Sequence, residues 1–392
     1  MGAVVRNMQL EIKIINWYLP RARQGSNLAG VLADQGHSVT LYQMNDHQNP
    51  QAATKYKSVC IDIPRFLKGR SPFSQIPFVK GGLRRVQFLL KPLKGPCDVV
   101  IAMGYEVLST ASLIAKRLHR ALLVYYPLEC NDDQAVRRRE QELCTKHVDI
   151  MINVEENRLA LLKTAIKRDI HSFIVPNAPR KGIGVEPRGQ LKAFLLQKYG
   201  IGSDARLVLF SGVYHPYANL EQLVSWSAKW DNRVFLVLIL TGPIPEPFKS
   251  LININSDRVK IVPSVSPENL YEFIRDADIG LLPYEDDRSE NVKFCSPQKM
   301  FDYLACGVPF VGSQRPIIQA VAESTCGGVC VNMKNEEQLY NVIHELCFNP
   351  VSLRTLSENG RKAYVEYWNY DQLVSPVIEA LTRMRHRMIS RL

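Results

Sequence analysis

Short apolar runs and helix-periodic stretches alternate along the first half of the chain. Six runs rich in Val, Ile and Leu predict buried strands, at residues 10–16, 37–42, 98–103, 121–126, 148–154 and 172–176. Helical periodicity appears at residues 25–35 and 134–147. Strands that read as continuous apolar runs between helices are typical of a parallel sheet covered on both faces. The pattern therefore predicts one α/β unit here.

The alternation restarts after residues 175–189, a loop-like passage with three prolines and three glycines. Strands are predicted at 206–212, 233–242, 259–264, 278–284, 309–313 and 327–332. Helices are predicted at 219–230, 267–275, 297–306, 336–347, 351–366 and 371–390. The fold class is therefore α/β, with two doubly wound domains in tandem.

The predicted borders follow from these breaks in the pattern. The first domain takes residues 1–180, a linker takes 181–205, the second domain takes 206–370, and a closing helix takes 371–392. Doubly wound domains bind ligands beyond the carboxyl ends of their strands. Two such domains facing each other would place the site in a cleft between them.

Charge separates the two halves. The chain has 49 Lys and Arg against 38 Asp and Glu, a net charge of +11, and its 46% hydrophobic content excludes a disordered or fibrous protein. Residues 1–180 carry 26 basic and 15 acidic side chains, whereas residues 181–392 carry 23 of each. The whole excess lies in the first half, which indicates an anionic partner for that half alone.

The sequence carries few signals that indicate a cellular compartment. No apolar run reaches the roughly 18 residues that span a bilayer, and Arg6, Glu11 and Lys13 interrupt the N-terminus where a secretory signal would be apolar. Nine cysteines are scattered without framework spacing, as expected of reduced thiols. Cys326 and Cys330 have no second pair nearby. We expect a cytoplasmic protein without a metal or other cofactor.

A candidate phosphate site lies within residues 283–313. Ser296 is a good helix N-cap and Pro297 suits the first helical position, so the amides of Gln298 and Lys299 would point out of the helix start. Such amides bind anions, and an anion would offset the unfavourable Lys299 charge there. Asp302 follows one turn later and could accept ribose hydroxyls. The alternative is an ordinary capped surface helix.

The string SPQKMFDYLACGVP at 296–309 resembles the nucleotide-sugar donor site of GT-B glycosyltransferases, particularly glycosyltransferase family 4 (glycosyl transferases group 1), with Asp302 in place of the usual Glu. Four weaker strings occur in the family's order: LAGVLADQGHSVTLY (28–42), VDIMINVEENRLALL (148–162), DADIGLLPY (276–284) and ENGRKAYVEYWNYDQLVSPV (358–377).

The resemblance implies an α/β GT-B fold of two Rossmann-like domains, an N-terminal acceptor domain, a C-terminal donor domain and a last helix that crosses back. It implies retaining sugar transfer from a UDP or GDP sugar. It also implies a set of donor-binding residues: Gly212, His215, Ser264, Val265, Ser296, Pro297, Gln298, Lys299 and Asp302. The family's basic pair after Gly212 is absent, and Phe294 stands where many members carry Glu.

On the acceptor side, Gly25, Ser26 and Tyr105 would line the cleft. Glu106 and Glu129 are the candidate catalytic carboxylates, as contacts to the acceptor hydroxyl. In the retaining class the leaving diphosphate is thought to help deprotonate the acceptor, so a strong enzymic base is not required.

Residues 63–97 contain no acidic side chain and interleave basic with aromatic residues. This suits an anionic membrane surface, although a solvated loop and helix is an equal alternative. Nucleic acid is disfavoured, since no recognition motif is present. The candidate membrane-facing cations are Arg65, Lys68, Arg70, Lys80, Arg84, Arg85, Lys91 and Lys94.

The leading hypothesis is a retaining glycosyltransferase of envelope polysaccharide or glycolipid synthesis, peripheral on the inner face of the cell membrane. Its partners would be a nucleotide sugar and a sugar, lipid-linked or small-molecule acceptor. The alternatives are a non-catalytic GT-B-like partner subunit and a nucleotide-sugar epimerase. A dinucleotide oxidoreductase is disfavoured because no G-x-G-x-x-G motif follows any predicted strand.

Overall fold

The computed structural model describes residues 8–16, 22–44, 55–61, 95–267, 269–285 and 289–390. The chain divides into two compact units. Unit 1 comprises Met1–Val175 with Leu373–Leu392, and unit 2 comprises Pro176–Gln372. Residues 373–392 thus belong to unit 1, and residues 181–205 belong to unit 2, where Gln190–Tyr199 are helical.

Unit 1 contains a seven-stranded parallel sheet in the order β3-β2-β1-β4-β5-β6-β7. Its strands are β1 (Glu11–Asn16), β2 (Ser38–Met44), β3 (Lys57–Ile61), β4 (Val99–Met103), β5 (Leu122–Tyr126), β6 (Ile150–Asn153) and β7 (His171–Ile174). The described helices within Met1–Val175 are α1 (Ala22–Asp34), α2 (Tyr105–Leu113), α3 (Gln134–His147) and α4 (Glu156–Lys163), and a π-helical turn, Ile114–Leu118, extends α2. Every residue of β4 and β5 is buried, because helices cover both faces of the sheet.

Unit 2 contains a six-stranded parallel sheet in the order β10-β9-β8-β11-β12-β13. Its strands are β8 (Arg206–Val213), β9 (Val234–Thr241), β10 (Val259–Val262), β11 (Ile279–Leu282), β12 (Phe310–Ser313) and β13 (Gly328–Val331). The helices that follow α4 along the chain are α5 (Gln190–Tyr199), α6 (Leu220–Ser227), α7 (Glu246–Ile254), α8 (Leu270–Ile274), α9 (Glu290–Lys293), α10 (Gln298–Cys306), α11 (Pro316–Thr325), α12 (Glu336–Phe348), α13 (Pro350–Glu366) and α14 (Tyr370–Ile389).

Both sheets reverse their strand order at one point, between β1 and β4 in unit 1 and between β8 and β11 in unit 2. The connections leave opposite faces of the sheet on the two sides of such a point, which opens a crevice at the carboxyl ends of the two strands. The topology therefore marks one candidate ligand position in each unit.

The predicted α/β class and its two parallel sheets are confirmed. All twelve predicted strands are present, although most are shorter by a residue or two. Strand β3 and helices α2, α4, α5, α7, α9 and α11 were not predicted; in α7 and α11 a proline lies at the helix start, where its missing N–H costs nothing. Among the described residues, no helix is long and apolar enough to cross a membrane.

Candidate functional site

Helix α10 is fixed to the sheet of unit 2 by Tyr303. The Tyr303 ring lies against Gly280 of β11, where a Cβ atom would come within 2.4 Å of the ring. Its hydroxyl donates a hydrogen bond of 3.1 Å to the carbonyl of Leu209 in β8. At the other end of α10, the carbonyl of Ala305 accepts a hydrogen bond from Arg361 of α13. These contacts hold the helix across the two strands that flank the crevice.

The start of α10 differs by one residue from the prediction. Pro297 is the N-cap, with extended backbone, and its carbonyl accepts from the amide of Met300 at 3.1 Å. Ser296 therefore lies outside the helix and is not the cap. The carbonyl of Ser296 accepts from Nδ2 of Asn177 at 2.9 Å. Its buried hydroxyl makes no hydrogen bond to any described residue.

Lys299 lies in the first turn of α10 and reaches the carboxyl end of β8. Its Nζ atom is 3.8 Å from the centre of the Phe210 ring and 5.4 Å from that of Tyr284. Gly212 leaves the space that the ammonium occupies, since a Cβ atom there would lie 2.9 Å from Nζ. The φ of Gly212 is +142°, a conformation that side chains rarely adopt. A cation is thus packed against aromatic faces at the crevice of unit 2.

Burial lowers the pKa of Lys299 to about 7, and the nearby Cys295 and Asp302 oppose this shift only in part. The ring faces are weaker partners for an ammonium than water or a carboxylate would be. An anion bound at the helix start would favour the protonated form and raise the pKa. We therefore expect Lys299 to take up a proton when an anionic ligand binds.

Asp302 lies one turn beyond Lys299 and is only 4% exposed. Its Oδ1 atom accepts a hydrogen bond of 3.3 Å from the hydroxyl of Tyr271 in α8. The carboxylate is therefore held from within the unit, and little of it faces solvent.

The other predicted donor residues are dispersed. Gln298 is the first residue of α10, beside Lys299. His215 is exposed after β8, with its ring stacked 3.6 Å from that of Tyr217. Ser264 and Val265 follow β10, the outer strand of the sheet, two strands away from β8. Lys299 and Gly212 are the pair that the structure brings into direct contact.

Two residues at this edge were missed by the sequence analysis. Tyr284, after β11, is buried and faces both Lys299 and Tyr217. Arg315, after β12, is 7% exposed and donates from Nε to the carbonyl of Tyr284 at 3.2 Å. Their positions just after neighbouring parallel strands were the available signal, because such positions meet at one edge of a sheet.

In unit 1, Asn16 and Gly25 lie at the crevice between β1 and β4. A Cβ atom on Gly25 would lie 2.9 Å from Nδ2 of Asn16 and 3.6 Å from the sulfur of Met103. Gly25 and Ser26 lie within the first two turns of α1. Tyr105 is the first residue of α2, followed by exposed Glu106.

Glu129 is exposed on the segment after β5, beside a small cavity that Arg137, Glu140 and Arg158 also line. Glu106 follows β4, so the two candidate carboxylates come after neighbouring strands of the sheet. The eight cations at 65–94 lie outside the described residues, and within the described ranges no group of three His, Cys, Asp or Glu side chains could hold a metal ion.

Comparison with known proteins assigns part of unit 2 to a protein family. Residues 205–349 match the family model Glycosyl transferases group 1. A chitobiosyldiphosphodolichol beta-mannosyltransferase from Candida albicans is 21% identical over 232 residues, which cover 53% of this chain and 48% of that protein. This chain therefore spans about half the length of its curated relative.

Solved structures match almost the whole chain. A sucrose-phosphate synthase from Thermosynechococcus elongatus has a TM-score of 0.73 at 15% identity, covering 98% of this chain and 100% of its own. HepE from Anabaena, solved with UDP-glucose, has a TM-score of 0.68 at 13% identity over 98% and 100% of the two chains. The likeness confirms the predicted GT-B fold.

Proposed function

We propose that this GT-B protein, whose residues 205–349 are a Glycosyl transferases group 1 domain, is a retaining glycosyltransferase that takes its sugar from a nucleoside-diphosphate donor. The observation that carries the proposal is Lys299 at the start of α10, packed against Gly212 at the strand-order reversal of unit 2. A helix start, a cation and a glycine together form the kind of site that binds a diphosphate.

The diphosphate would contact the first turn of α10 and the ammonium of Lys299. Amides there and the helix dipole favour negative charge, and the glycine admits a phosphate close to the backbone. HepE, which shares the fold, was solved with UDP-glucose. UDP sugars are therefore the first donors to test, with GDP sugars as the comparison. Asp302 would reach the ribose by exchanging its bond from Tyr271.

In the proposed reaction the bond between the anomeric carbon and the diphosphate breaks, and the acceptor oxygen bonds to that carbon on the same face. The acceptor proton passes to the departing diphosphate. Lys299 and the helix start stabilise the negative charge that grows on the leaving group. Glu106 and Glu129 would hold the acceptor hydroxyls, so neither has to act as a strong base.

We propose a lipid-linked acceptor at an anionic membrane surface, with the protein peripheral on the inner face of the cell membrane. The support is the basic excess of residues 1–180 and the acid-free stretch 63–97. The name of the Candida albicans relative specifies a dolichol-linked acceptor. Binding to vesicles with and without anionic lipid tests this part separately from catalysis.

The main experiment measures binding of UDP-glucose and GDP-mannose to the wild type and to Lys299→Ala and Asp302→Ala by calorimetry. Each substitution should weaken binding about 10- to 100-fold, the range expected when a hydrogen bond to a charged group is lost. Wild-type affinity in both variants would refute the site. The anomeric configuration of the transferred sugar, read by NMR, tests retention.

A non-catalytic partner subunit is the second candidate, and specific residues favour it. Where the family has a basic pair after Gly212, Val213 is exposed, and the hydroxyl of Tyr214 donates to Glu221 instead. Phe294 replaces a carboxylate of the donor site. If the wild type binds none of the nucleotide sugars, this second function replaces the first.

A further inference from the structure

The segment after β5, residues 127–131, is held by its backbone on both sides of Glu129. Arg158 of α4, only 5% exposed, donates from Nη1 to the carbonyl of Leu128 at 3.1 Å. Arg137 of α3 donates to the carbonyl of Asn131 from Nε at 2.9 Å and from Nη2 at 2.6 Å. Charged donors make stronger hydrogen bonds than neutral ones. The backbone around Glu129 is therefore clamped by two helices.

Glu140 of α3 connects this clamp to the strand. It is 3% exposed, and its Oε2 atom accepts from Nδ2 of Asn131 at 2.7 Å. Its Oε1 atom accepts from the hydroxyl of Tyr125, the fully buried fourth residue of β5. Burial raises the pKa of Glu140 above its ordinary value. Hydrogen bonds from Tyr125 and Asn131 and the charge of Arg137 offset only part of this shift.

A buried carboxylate is a costly way to stabilise a domain, because well-packed apolar residues often do as well or better. A fully satisfied polar network does, however, restrict the groups it joins to one arrangement. This network joins the end of β5 to the segment that carries Glu129, at the carboxyl edge where ligands of such sheets bind. Its geometry suits the placement of a functional side chain.

We propose that Glu140 is a positioning residue, which fixes residues 128–131 and thereby sets Glu129 against the acceptor. The inference rests on the proposed function, in which Glu129 contacts the acceptor hydroxyl. Glu140 itself touches no substrate in this scheme.

Three variants separate positioning from stability. Glu140→Met removes both acceptor atoms at similar volume. Glu140→Gln keeps one acceptor, because its amide oxygen can still accept from Asn131, and its amide nitrogen can donate to the Tyr125 hydroxyl oxygen, which reverses that bond but preserves the contact. The matched control is Gln141→Leu, one residue along α3. Gln141 is 5% exposed and donates to the carbonyls of Leu161 and Leu162 in α4 at 3.2 Å, rather than to the 127–131 segment.

The first readout is hydrogen exchange, which needs no activity. Backbone amides of residues 128–131 should exchange at least several-fold faster in Glu140→Met than in the wild type or in Gln141→Leu. The second is transfer from UDP-glucose to octyl glucoside. There Glu140→Met should lose about 10- to 100-fold in kcat with the donor KM unchanged, as small misplacements do. Glu140→Gln should restore most of both properties.

Equal exchange in Glu140→Met and Gln141→Leu overturns the proposal, as does an equal loss of kcat. If the wild type transfers no sugar, the proposed function fails by itself, and faster exchange confined to Glu140→Met still establishes the clamp. Melting temperatures of all three variants show whether each remains folded during the comparison.

Discussion

The carboxyl edges of the two sheets have the same topology and different chemistry. At the edge of unit 2, Lys299 lies between aromatic rings, beside a glycine and a helix start. At the edge of unit 1, Arg137 and Arg158 are bound to backbone carbonyls, and the carboxylates of Glu106 and Glu129 are exposed. Both edges use arginines to hold backbone carbonyls, Arg315 in unit 2 and Arg137 and Arg158 in unit 1, but among these described residues only Lys299 of unit 2 is a cation packed on aromatic rings. The shared topology therefore marks the same candidate ligand position in each sheet, and the side chains make the two positions chemically different.

The largest expected effect is a loss of nucleotide-sugar binding at the carboxyl edge of unit 2, with the edge of unit 1 left intact. Gly212→Ala should weaken UDP-glucose binding by up to about 100-fold, the upper limit set for loss of Lys299 itself, because the added carbon would meet Nζ of Lys299 at 2.9 Å and move the ammonium away. In unit 1, Gly25→Ala should leave UDP-glucose affinity unchanged and lower transfer only.

Backbone strain at a positive φ is the competing explanation for such a loss. Gly242→Ala controls for it, since Gly242 follows β9 with φ of +82° and a Cβ atom there would have no neighbouring atom within 4 Å. Weakened binding in Gly242→Ala to the extent seen for Gly212→Ala would assign the effect to strain rather than to Lys299.

The next effect concerns pH. In the protein without a bound ligand, Lys299 has a pKa of about 7, and a bound diphosphate should raise this pKa. Binding above pH 7 therefore takes up a proton, and affinity should fall as pH rises, by up to about tenfold per pH unit, until the pKa of the complex is reached. Calorimetry at pH 8 in buffers of different ionisation enthalpy measures the uptake. Lys299→Met should show none, and a full proton taken up by that variant would exclude Lys299 as its source.

The same pKa predicts a stability effect. The unfolded chain binds more protons than the folded one between pH 7 and the ordinary lysine value of 10.5, so this group makes stability rise with pH across that window. Below pH 7 the folded protein must hold a charged, partly desolvated ammonium against the aromatic rings. Lys299→Met should therefore melt higher than the unliganded wild type at pH 6, with the difference shrinking at pH 10. A lower melting temperature at pH 6 would contradict the buried-cation description.

The smallest expected effect is at Tyr271. Tyr271→Phe removes the hydroxyl that donates to Asp302 over 3.3 Å, a long hydrogen bond. We expect a loss of about 1 kcal/mol or less in unfolding free energy and a change of only a few fold in nucleotide affinity. Urea unfolding and calorimetry measure the two. A loss as large as that of Asp302→Ala would mean that Tyr271 itself contacts the ligand.

Most of the fold was predictable because the central strands, such as β4, β5 and β11, are buried on both faces and so read as short apolar runs. Helices such as α2, α4 and α5 were not predicted, because the sequence analysis assigned helical periodicity in residues 1–205 only at 25–35 and 134–147. The helix start of the proposed anion site was predictable, because Ser296, Pro297 and Lys299 form a local string. Tyr284 and Arg315 were not, because they join the site only through the neighbouring order of β11 and β12.

The sequence by itself determined the two α/β units, the helix start that carries Lys299, and the unequal distribution of charge between the halves. These properties depend on neighbours along the chain, through period, capping and composition. Only the tertiary structure decided that Lys299 lies on Phe210 over Gly212, and that Glu140 holds Asn131 to Tyr125. Burial by residues distant in sequence sets those contacts, and burial also sets the pKa of Lys299 on which the pH prediction depends.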